Sequence, residues 1–208
     1  SKSIADHAKS FGTLYIQNKE GRIEPINTMA NKVLVKISKK ASYNGMSADE
    51  VFLGLVTNPE RWKSEAVIKV PEESVQKLLG IKGDHASFYD FINDRGQYKI
   101  ATDVEQAYMK KPALRSTHDK ALINVDERVN VLYMALNGSM LKILPIEKDP
   151  NNSWTTPADF NKLITNREDI KIAFMRYVNT LAEAKGSGNY AQADAVLALL
   201  RQYQQQEG

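Results

Sequence analysis

The sequence predicts a mainly α fold with a small antiparallel β-sheet, an α+β class in which irregularly placed helices form one domain. Over residues 116–136, apolar side chains recur at spacings of three and four, as one face of a helix requires. Strand-like runs are few and short, near residues 13–26 and 140–144. Hydrophobic residues make up 42% of the 208 residues and charged residues 25%, so a single soluble domain over residues 1–208 is expected.

The β-sheet is predicted from an N-terminal hairpin and one later strand. Residues 13–16 are strand formers, residues 18–21 suit a turn, and Pro25 ends the pairing or restricts it to a sheet edge. Residues 140–144 form a second strand-like run, which Pro145 stops. We expect this run to pair with the hairpin in a three-stranded sheet.

Boundary signals place three helices in the first half of the chain. Asn27 or Thr28 is the expected N-cap of the first helix, and Ser47 with Glu50 forms a capping box before the second. The apolar face of the first helix is expected at Ala30, Val33, Leu34 and Ile37. Further boundary residues are Pro59 at the end of the second helix, Pro71 in the first turn of a third and Gly80 at its end.

The second half is also predicted to be helical. Short helices are expected near residues 88–92 and 104–109, and the longest helix runs from about residue 116 to 136. Asn137 and Gly138 end this helix. Its apolar stripe is Leu122, Val125, Val129, Leu132, Tyr133 and Leu136.

A C-terminal αα-hairpin is predicted within residues 167–205 and is expected to pack on the rest of the domain. Residues 186–188 join its helices. The apolar positions are Phe174, Met175, Val178 and Leu181 on the first helix, and Val196, Leu199, Leu200 and Tyr203 on the second. The polar residues 201–207 do not form an obvious closing element, which suggests a piece excised from a longer protein.

Composition excludes several classes of function. The absence of cysteine excludes disulfides, thiolate metal sites and cysteine nucleophiles. A net charge of +3, with both signs mixed along the chain, does not indicate a nucleic-acid partner. Apolar runs are far shorter than the roughly 20 residues of a membrane helix, so this segment is not expected to insert into a membrane. Phosphate loops, serine-nucleophile elbows and zinc-binding helix motifs are absent, so no catalytic residue and no metal site are assigned.

The chain has three histidines, His7, His85 and His118. They lie on different predicted elements, and each is adjacent to an aspartate. Neighbouring residues on a helix point apart, so carboxylate–imidazole dyads are not predicted. A surface or capping role is the expected one for each histidine.

Two further groups of residues admit a structural and a functional interpretation. Asp126, Glu127 and Arg128 lie in the middle of the longest helix, where Asp126 borders the apolar face. They either form a solvated charged face or include a buried Asp–Arg pair that braces the helix or lines a pocket. Trp62 and Trp154 lie in polar loops, where a tryptophan either packs on the domain edge or forms an exposed recognition platform. The solvated face and the packed tryptophans are the expected outcomes.

Several stretches of the chain occur in an order that resembles a known family. They are residues 7–12, 17–18 and 21–30, then 43–46 and 51–54, and finally 125–130 and 149–154. In letters the most distinctive are HAKSFG, GRIEPINTMA, YNGM, VDERVN and DPNNSW. The series resembles the large extracytoplasmic region of fused ResB/CcsA-type cytochrome c biogenesis proteins, and the resemblance spans nearly the whole chain.

The resemblance implies a parent protein that exports haem across the membrane and attaches it to apocytochrome c. The implied location is the periplasmic side of the inner membrane, tethered by flanking membrane segments. This sequence lacks the tryptophan-rich haem-handling motif and the membrane histidines of that family. The expected role is therefore accessory: scaffolding the assembly, guiding apocytochrome c or shielding the haem site. The expected partners are apocytochrome c and the membrane part of the parent, and haem is implied as a cofactor only for the parent. On this chain His7, His85 and His118 are the candidate haem ligands, because imidazole is a common axial ligand of haem iron, but tight haem binding is not expected.

Two alternatives from other classes remain open on the sequence. One is a stand-alone helical interaction module that binds a partner protein through the terminal αα-hairpin. The other is a small-molecule enzyme whose catalytic groups meet only in the fold, with Asp126 as the candidate carboxylate.

Overall fold

The computed structural model describes residues 3–208, and within them helices dominate over short strands. The α-helices are α1 (Ile4–Gly12), α2 (Ile26–Ser38), α3 (Ala48–Thr57), α4 (Pro59–Trp62), α5 (Glu73–Leu79), α6 (Ala101–Met109), α7 (Thr117–Leu136), α8 (Glu168–Lys171), α9 (Ala173–Ser187) and α10 (Ala191–Glu207). The strands are β1 (Tyr15–Gln17), β2 (Ile23–Pro25), β3 (Ser42–Tyr43), β4 (Met46–Ser47), β5 (Ile68–Lys69), β6 (His85–Ala86), β7 (Leu144–Pro145) and β8 (Trp154–Thr155). The predicted mainly helical α+β class is confirmed.

The strands of the described chain pair two by two in antiparallel sheets, β1 with β2, β3 with β4, β5 with β6 and β7 with β8. The N-terminal hairpin is therefore confirmed, with Ile16 opposite Glu24. The predicted three-stranded sheet is wrong. Residues 138–143 form turns after α7, and β7 pairs with β8. One backbone hydrogen bond, from the Gln17 N–H to the Lys142 carbonyl at 3.0 Å, is the remnant of the expected contact.

Capping boxes begin α1, α3 and α7, and each uses a serine and an acidic residue three positions later. The predicted box of Ser47 and Glu50 is confirmed. The predicted N-cap at Asn27 or Thr28 is wrong, because α2 begins at Ile26 directly after the hairpin. The Asn27 amide instead donates to Asp49 on α3.

Other boundaries differ by a few residues from the predicted ones. Pro71 lies before α5 rather than in its first turn, and Gly80 ends this helix with a φ of 73°. The predicted helix at residues 88–92 is a single 3₁₀ turn over Tyr89–Phe91.

The core is built around α7, which packs against α2, α3, α5 and α6. The predicted apolar stripe is buried at Leu122, Val125, Val129, Leu132 and Leu136. Tyr133 is the exception at 51% exposure, because its ring stacks on Phe88 at the domain surface. The stripe therefore faces the core as the helical periodicity predicts.

The α9–α10 hairpin packs onto α1 and β7. Its buried positions differ from the predicted set: Tyr177 replaces Met175, which is 61% exposed, and Leu197 is more deeply buried than Leu199. The C-terminal end also differs, since α10 continues to Glu207 and Gln204 is only 4% exposed. The polar end of the sequence is therefore part of the packed domain.

Within residues 3–208, no helix combines the length and the apolar character needed to cross a membrane.

Candidate functional site

An open groove of about 530 Å³ lies between α2, the end of α7 and the tip of the β1–β2 hairpin. We call it the methionine groove. Its lining comprises Gln17, Asn18, Lys19, Glu20, Glu24, Met29, Lys32, Val33, Lys36, Val131, Met134, Ser139, Met140 and Lys142. The volume falls within the usual range of small-ligand and peptide-anchor sites.

The apolar floor comes from two helices and one reversed loop. Met29 and Val33 are one turn apart on α2, and Val131 and Met134 are three apart on α7, so each pair shares a helix face. Gly138 adopts a φ of 78° and turns the chain back, which brings Met140 over the end of α7. The Met140 N–H donates to the Met134 carbonyl at 3.3 Å. Three thioether side chains therefore line one surface.

The rim of the groove is mainly cationic, with four lysines against two glutamates. Lys32 pairs with Glu24 at 2.7 Å, and Lys36 pairs outside the groove with Glu127 at 2.9 Å. Lys19 and Lys142 make no ion pair within the described residues. The rim therefore offers two uncompensated ammonium groups beside an apolar floor.

Glu24 carries an unusual oxygen in the groove wall. Its Oε2 accepts a hydrogen bond from Lys32, whereas its Oε1 is buried and has no partner within residues 3–208. A buried acceptor without a donor carries an energetic penalty of about 1–3 kcal/mol. One oxygen of the Glu24 carboxylate therefore has no hydrogen-bond donor within residues 3–208.

Side-chain hydrogen bonds hold the hairpin wall of the groove in place. Asn18 Oδ1 accepts from two backbone N–H groups of the turn, each at 3.0 Å. The Gln17 amide donates to the Gly21 and Asn152 carbonyls and accepts from the Trp154 N–H at 2.7 Å. The hairpin tip is thereby tied to the loop before β8, so this wall is rigid.

His7 does not take the surface or capping role predicted for it. The side chain is fully buried, with Nε2 2.7 Å from the Tyr177 hydroxyl and Nδ1 2.9 Å from Asp194 Oδ1. The partners lie on α9 and α10, so only the folding of the C-terminal hairpin against α1 creates this environment. Because both ring nitrogens are engaged, His7 does not fit as a ligand of haem iron.

His85 and His118 are more exposed, as predicted, and both have side-chain partners. His85 Nδ1 lies 2.8 Å from Asp84 Oδ1, so the expectation that these neighbours point apart is wrong: His85 begins the strand β6 and Asp84 lies in the bend before it, not in a helix. Hydrogen bonds from Lys69 and His85 lower the pKa of Asp84 to about 2. His118 Nδ1 lies 2.6 Å from the Ser74 hydroxyl.

The histidines are not brought together, and neither His85 nor His118 lines the methionine groove. Among the described residues, no group of three or more His, Asp or Glu side chains could hold a metal ion. A haem site needs an axial ligand inside an apolar slot. The positions of the histidines do not fit this requirement, and no step of a reaction is assigned to haem on this chain.

Asp126 and Arg128, near the middle of α7, are buried, so the solvated face predicted for them is wrong, whereas Glu127 between them is exposed. Asp126 is 9% exposed and accepts hydrogen bonds from the Tyr98 hydroxyl at 2.8 Å and from Asn130. Arg128 is 6% exposed and donates to the Lys69 carbonyl at 2.7 Å. The two bind different partners rather than each other, because they project from different sides of the helix.

Both tryptophans pack into the domain as predicted. Trp62 in α4 is 3% exposed, and Trp154 in β8 is 7% exposed. Neither is an exposed recognition platform.

The methionine groove was not predicted from the sequence. Its floor combines positions separated by about a hundred residues, and Met140 lies in a segment for which a strand was expected. The one local signal is the pattern of Met29, Lys32, Val33 and Lys36 on α2, in which an apolar stripe runs beside a basic one. That pattern is also common on ordinary surface helices.

Comparison with known proteins gives one informative match. No protein-family model matches the chain. The sequence is 39% identical over 154 residues to Protein NrfI of Wolinella succinogenes, an alignment that covers 74% of this chain and 17% of that protein. The chain is thus similar to one segment of the much longer Protein NrfI.

Proposed function

We propose that this chain is an accessory domain of a membrane-bound cytochrome c biogenesis protein, and that its methionine groove binds the apocytochrome c polypeptide. The similarity to Protein NrfI supports a role in cytochrome c maturation. The ordered series of stretches that resembles ResB/CcsA-type proteins supports the finer assignment. The observation that carries the binding site is the open floor of Met29, Met134 and Met140.

Methionine suits a partner that is bound before it folds. Its unbranched, polarizable side chain adapts to apolar groups of different shape, and methionine-rich surfaces accordingly bind varied sequences. An apocytochrome segment offers such apolar side chains while it is still extended. The lysine rim excludes non-specific apolar aggregation and favours segments that carry a carboxylate beside the apolar anchor.

The remaining parts of the proposal concern the parent protein. We place the domain on the periplasmic side of the inner membrane, tethered by flanking membrane segments. The membrane part of the parent handles haem. The partners of this domain are that membrane part and the apocytochrome chain. This division of labour is consistent with a fold whose histidines do not fit haem ligation.

A paired substitution tests the groove. Met134→Glu places a carboxylate on the apolar floor, while Met175→Glu makes the same change at an exposed methionine of α9 outside the groove. We expect fluorescence anisotropy with a labelled apocytochrome c fragment to show binding at least about tenfold weaker for Met134→Glu, because a buried charge is costly. Met175→Glu should bind like the unmodified chain. Equal affinity of all three proteins would refute the groove as the binding site.

The alternative interaction module has less support from the structure. The apolar side chains of the terminal hairpin, such as Leu181, Leu200 and Tyr203, are at most 2% exposed because α1 and β7 cover them. The surface that this alternative needs is therefore already occupied. The enzyme alternative also lacks a site, since Asp126 is held by Tyr98 and Asn130 and does not line the groove.

A further inference from the structure

A second, smaller pocket of about 260 Å³ lies on a different face, between α1, α3, α4 and the junction of α9 with α10. Its polar lining is Arg61, Trp62, Lys185, Tyr190 and Glu50. Its apolar wall is Ile4, Met46 and Leu53. None of these residues lines the methionine groove.

Hydrogen-bond donors in this pocket lack acceptors. Trp62 is 3% exposed and Tyr190 is 6% exposed, yet neither the indole N–H nor the Tyr190 hydroxyl hydrogen-bonds to any described residue. Within residues 3–208, the one solvent-inaccessible side-chain polar atom that lacks a hydrogen-bond partner is Glu24 Oε1. The Trp62 Nε1 and the Tyr190 hydroxyl oxygen are therefore both accessible to solvent. Buried polar groups are normally satisfied. Two largely buried side chains of the pocket lining therefore carry hydrogen-bond donors without a protein acceptor.

The position of the indole is fixed by Gly54. A Cβ at this residue would lie 2.1 Å from Trp62 Nε1, so the indole nitrogen sits directly against the α3 backbone. Any other residue would displace the ring. The glycine thus holds the Trp62 N–H at the wall of the pocket.

Two cations face the same space. Lys185 makes no ion pair or hydrogen bond within the described residues. Arg61 has a long contact of 3.7 Å to Glu65, and its guanidinium lies 5.8 Å from the centre of the Trp62 ring. Partial burial and the neighbouring Arg61 lower the pKa of Lys185, although its side chain stays partly open to solvent. Glu50 makes no ion pair with either cation within the described residues: its carboxylate accepts from the Ser47 N–H in the α3 capping box, and its negative charge stays on the pocket lining.

We propose that this pocket binds a carboxylate carried on a short apolar body, either a free small acid or the C-terminal carboxylate of a polypeptide. Four donor groups are available to the anion: the guanidinium of Arg61, the ammonium of Lys185, the indole N–H of Trp62 and the hydroxyl of Tyr190. The wall of Ile4, Met46 and Leu53 contacts the apolar part of the ligand. A single negative charge suits the site better than inorganic phosphate, because Glu50 repels a second one. This inference is independent of the function proposed for the methionine groove.

The indole N–H signals in a ¹H–¹⁵N NMR spectrum give a direct test on the full chain. The sequence has two tryptophans, and Trp154 does not line the pocket, so its signal is an internal control. Trp62→Phe assigns the two peaks. On titration with pentanoate, we expect the Trp62 peak to shift saturably while the Trp154 peak stays in place. Pentanamide, which has the same shape without the charge, and inorganic phosphate should leave both peaks unchanged.

A second arm separates the two sources of carboxylate. A tetrapeptide with apolar residues is titrated with its C-terminus free and with it amidated. Tighter binding of the free peptide than of pentanoate assigns the site to a chain end, and tighter binding of pentanoate assigns it to a free acid. A Trp62 shift with pentanamide or the amidated peptide equal to that of the acids would overturn the proposal, as would no saturable shift with either acid.

Lys185→Met removes the charge and keeps the apolar stem, and Arg176→Met makes a matched change at an exposed cation of α9 outside the pocket. Lys185→Met should weaken pentanoate binding by about tenfold, the usual scale for losing a hydrogen bond to a charged group. Arg176→Met should leave it unchanged. Both variants are compared at equal folded fraction from their thermal unfolding curves. Unchanged affinity in a folded Lys185→Met protein would also overturn the proposal.

Discussion

Single side chains decide how the N-terminal helix is held against the C-terminal hairpin. The His7 ring lies beside the rings of Tyr177, at 5.7 Å, and Tyr190, at 5.0 Å, and both of its nitrogens are hydrogen-bonded. Burial raises the pKa of Tyr177, so its hydroxyl stays neutral beside His7 Nε2. His7 Nδ1 faces the Asp194 carboxylate. A buried polar network therefore joins α1 to α9 and α10.

Replacing His7 tests how much this network contributes to the free energy of unfolding. His7→Leu leaves the Tyr177 hydroxyl buried without an acceptor, and we expect a loss of about 1–3 kcal/mol in the free energy of unfolding. His118→Leu is the control, because this histidine is partly exposed and contacts a surface serine. Urea unfolding monitored by circular dichroism gives both values. A shift in midpoint no larger for His7→Leu than for His118→Leu would contradict the assigned role.

Two glycine substitutions should change stability in opposite directions. Gly54→Ala brings a Cβ within 2.1 Å of Trp62 Nε1, and overpacking of this kind typically destabilises by about 1–3 kcal/mol. Gly186→Ala in α9 meets no atom within 4 Å, so the better helix propensity of alanine should stabilise by up to about 1 kcal/mol. Thermal unfolding checks both signs. A stabilised Gly54→Ala protein would show that the Trp62 ring is free to move.

At the scale of elements, the domain depends on α7 and on the cap that begins it. Asp119 accepts from the Ser116 N–H and from Lys110, each at 2.9 Å, which joins the start of α7 to the segment after α6. The interior face of the helix then supplies the centre of the core, where Leu132 is fully buried. Cap and core face can be perturbed separately.

The cap should depend on pH. Hydrogen bonds, first from Lys110 and then from Ser116, lower the pKa of Asp119 from 3.8 to about 2. Because the folded-state pKa lies below the ordinary one, the carboxylate stabilises the fold above the ordinary pKa, and this stabilisation is lost as the pH falls from about 4 towards 2. The unfolding midpoint of Asp119→Asn should therefore be below that of the parent at neutral pH and approach it near pH 2.

Asp94→Asn is the control for this pH profile, because Asp94 is exposed and forms no ion pair within the described residues. Its midpoint should follow that of the unmodified chain throughout. A difference between Asp119→Asn and the parent that stays constant down to about pH 2 would show that the charge of Asp119 has no role.

The core face of α7 is tested by Leu132→Ala. This change should reduce the free energy of unfolding by about 2–5 kcal/mol, the usual range for a large-to-small substitution in a core. Lys120→Ala on the exposed side of the same helix should change it by less than about 0.5 kcal/mol. Chemical denaturation measures both. An unchanged midpoint for Leu132→Ala would mean that the α7 stripe does not face a packed core.

At the scale of the whole molecule, the C-terminal helix closes the fold. The Gln204 side chain accepts from the Tyr15 N–H at 3.0 Å and donates to the Tyr15 and Ile143 carbonyls at 2.9 and 2.8 Å. The Tyr203 hydroxyl donates to Glu147 at 2.6 Å. One turn of α10 thus connects β1 to the loop after α7, so the positions of these two segments depend on this turn.

The isolated chain should not bind haem tightly. Both nitrogens of His7 are occupied, and His85 and His118 lie outside the methionine groove. We expect titration with haemin to give a weak, non-saturating change in the Soret band, also in His85→Ala and His118→Ala. Saturable one-to-one binding that one of these substitutions abolishes would make that histidine an axial ligand.

Features that depend on contacts between near neighbours were predictable from the sequence. The capping box of Ser47 and Glu50, the apolar stripe of α7 and the hairpin near residue 20 each depend on contacts within about four residues or one turn. Hydrophobic periodicity also predicted that Val129 and Leu132 are buried, since one face of a long helix must meet the core. For these reasons the fold class was predictable.

The contacts between distant polar and surface residues depend on the folded arrangement of the whole chain. His7 reaches Asp194 across 187 positions, and Gln17 reaches the Trp154 N–H across 137. The floor of the methionine groove likewise joins Met29 to Met134 and Met140. Periodicity tells which face of a helix turns inward but not which distant helix it meets, and a polar residue is buried wherever the fold supplies its partner. Both candidate binding sites arise from such long-range meetings.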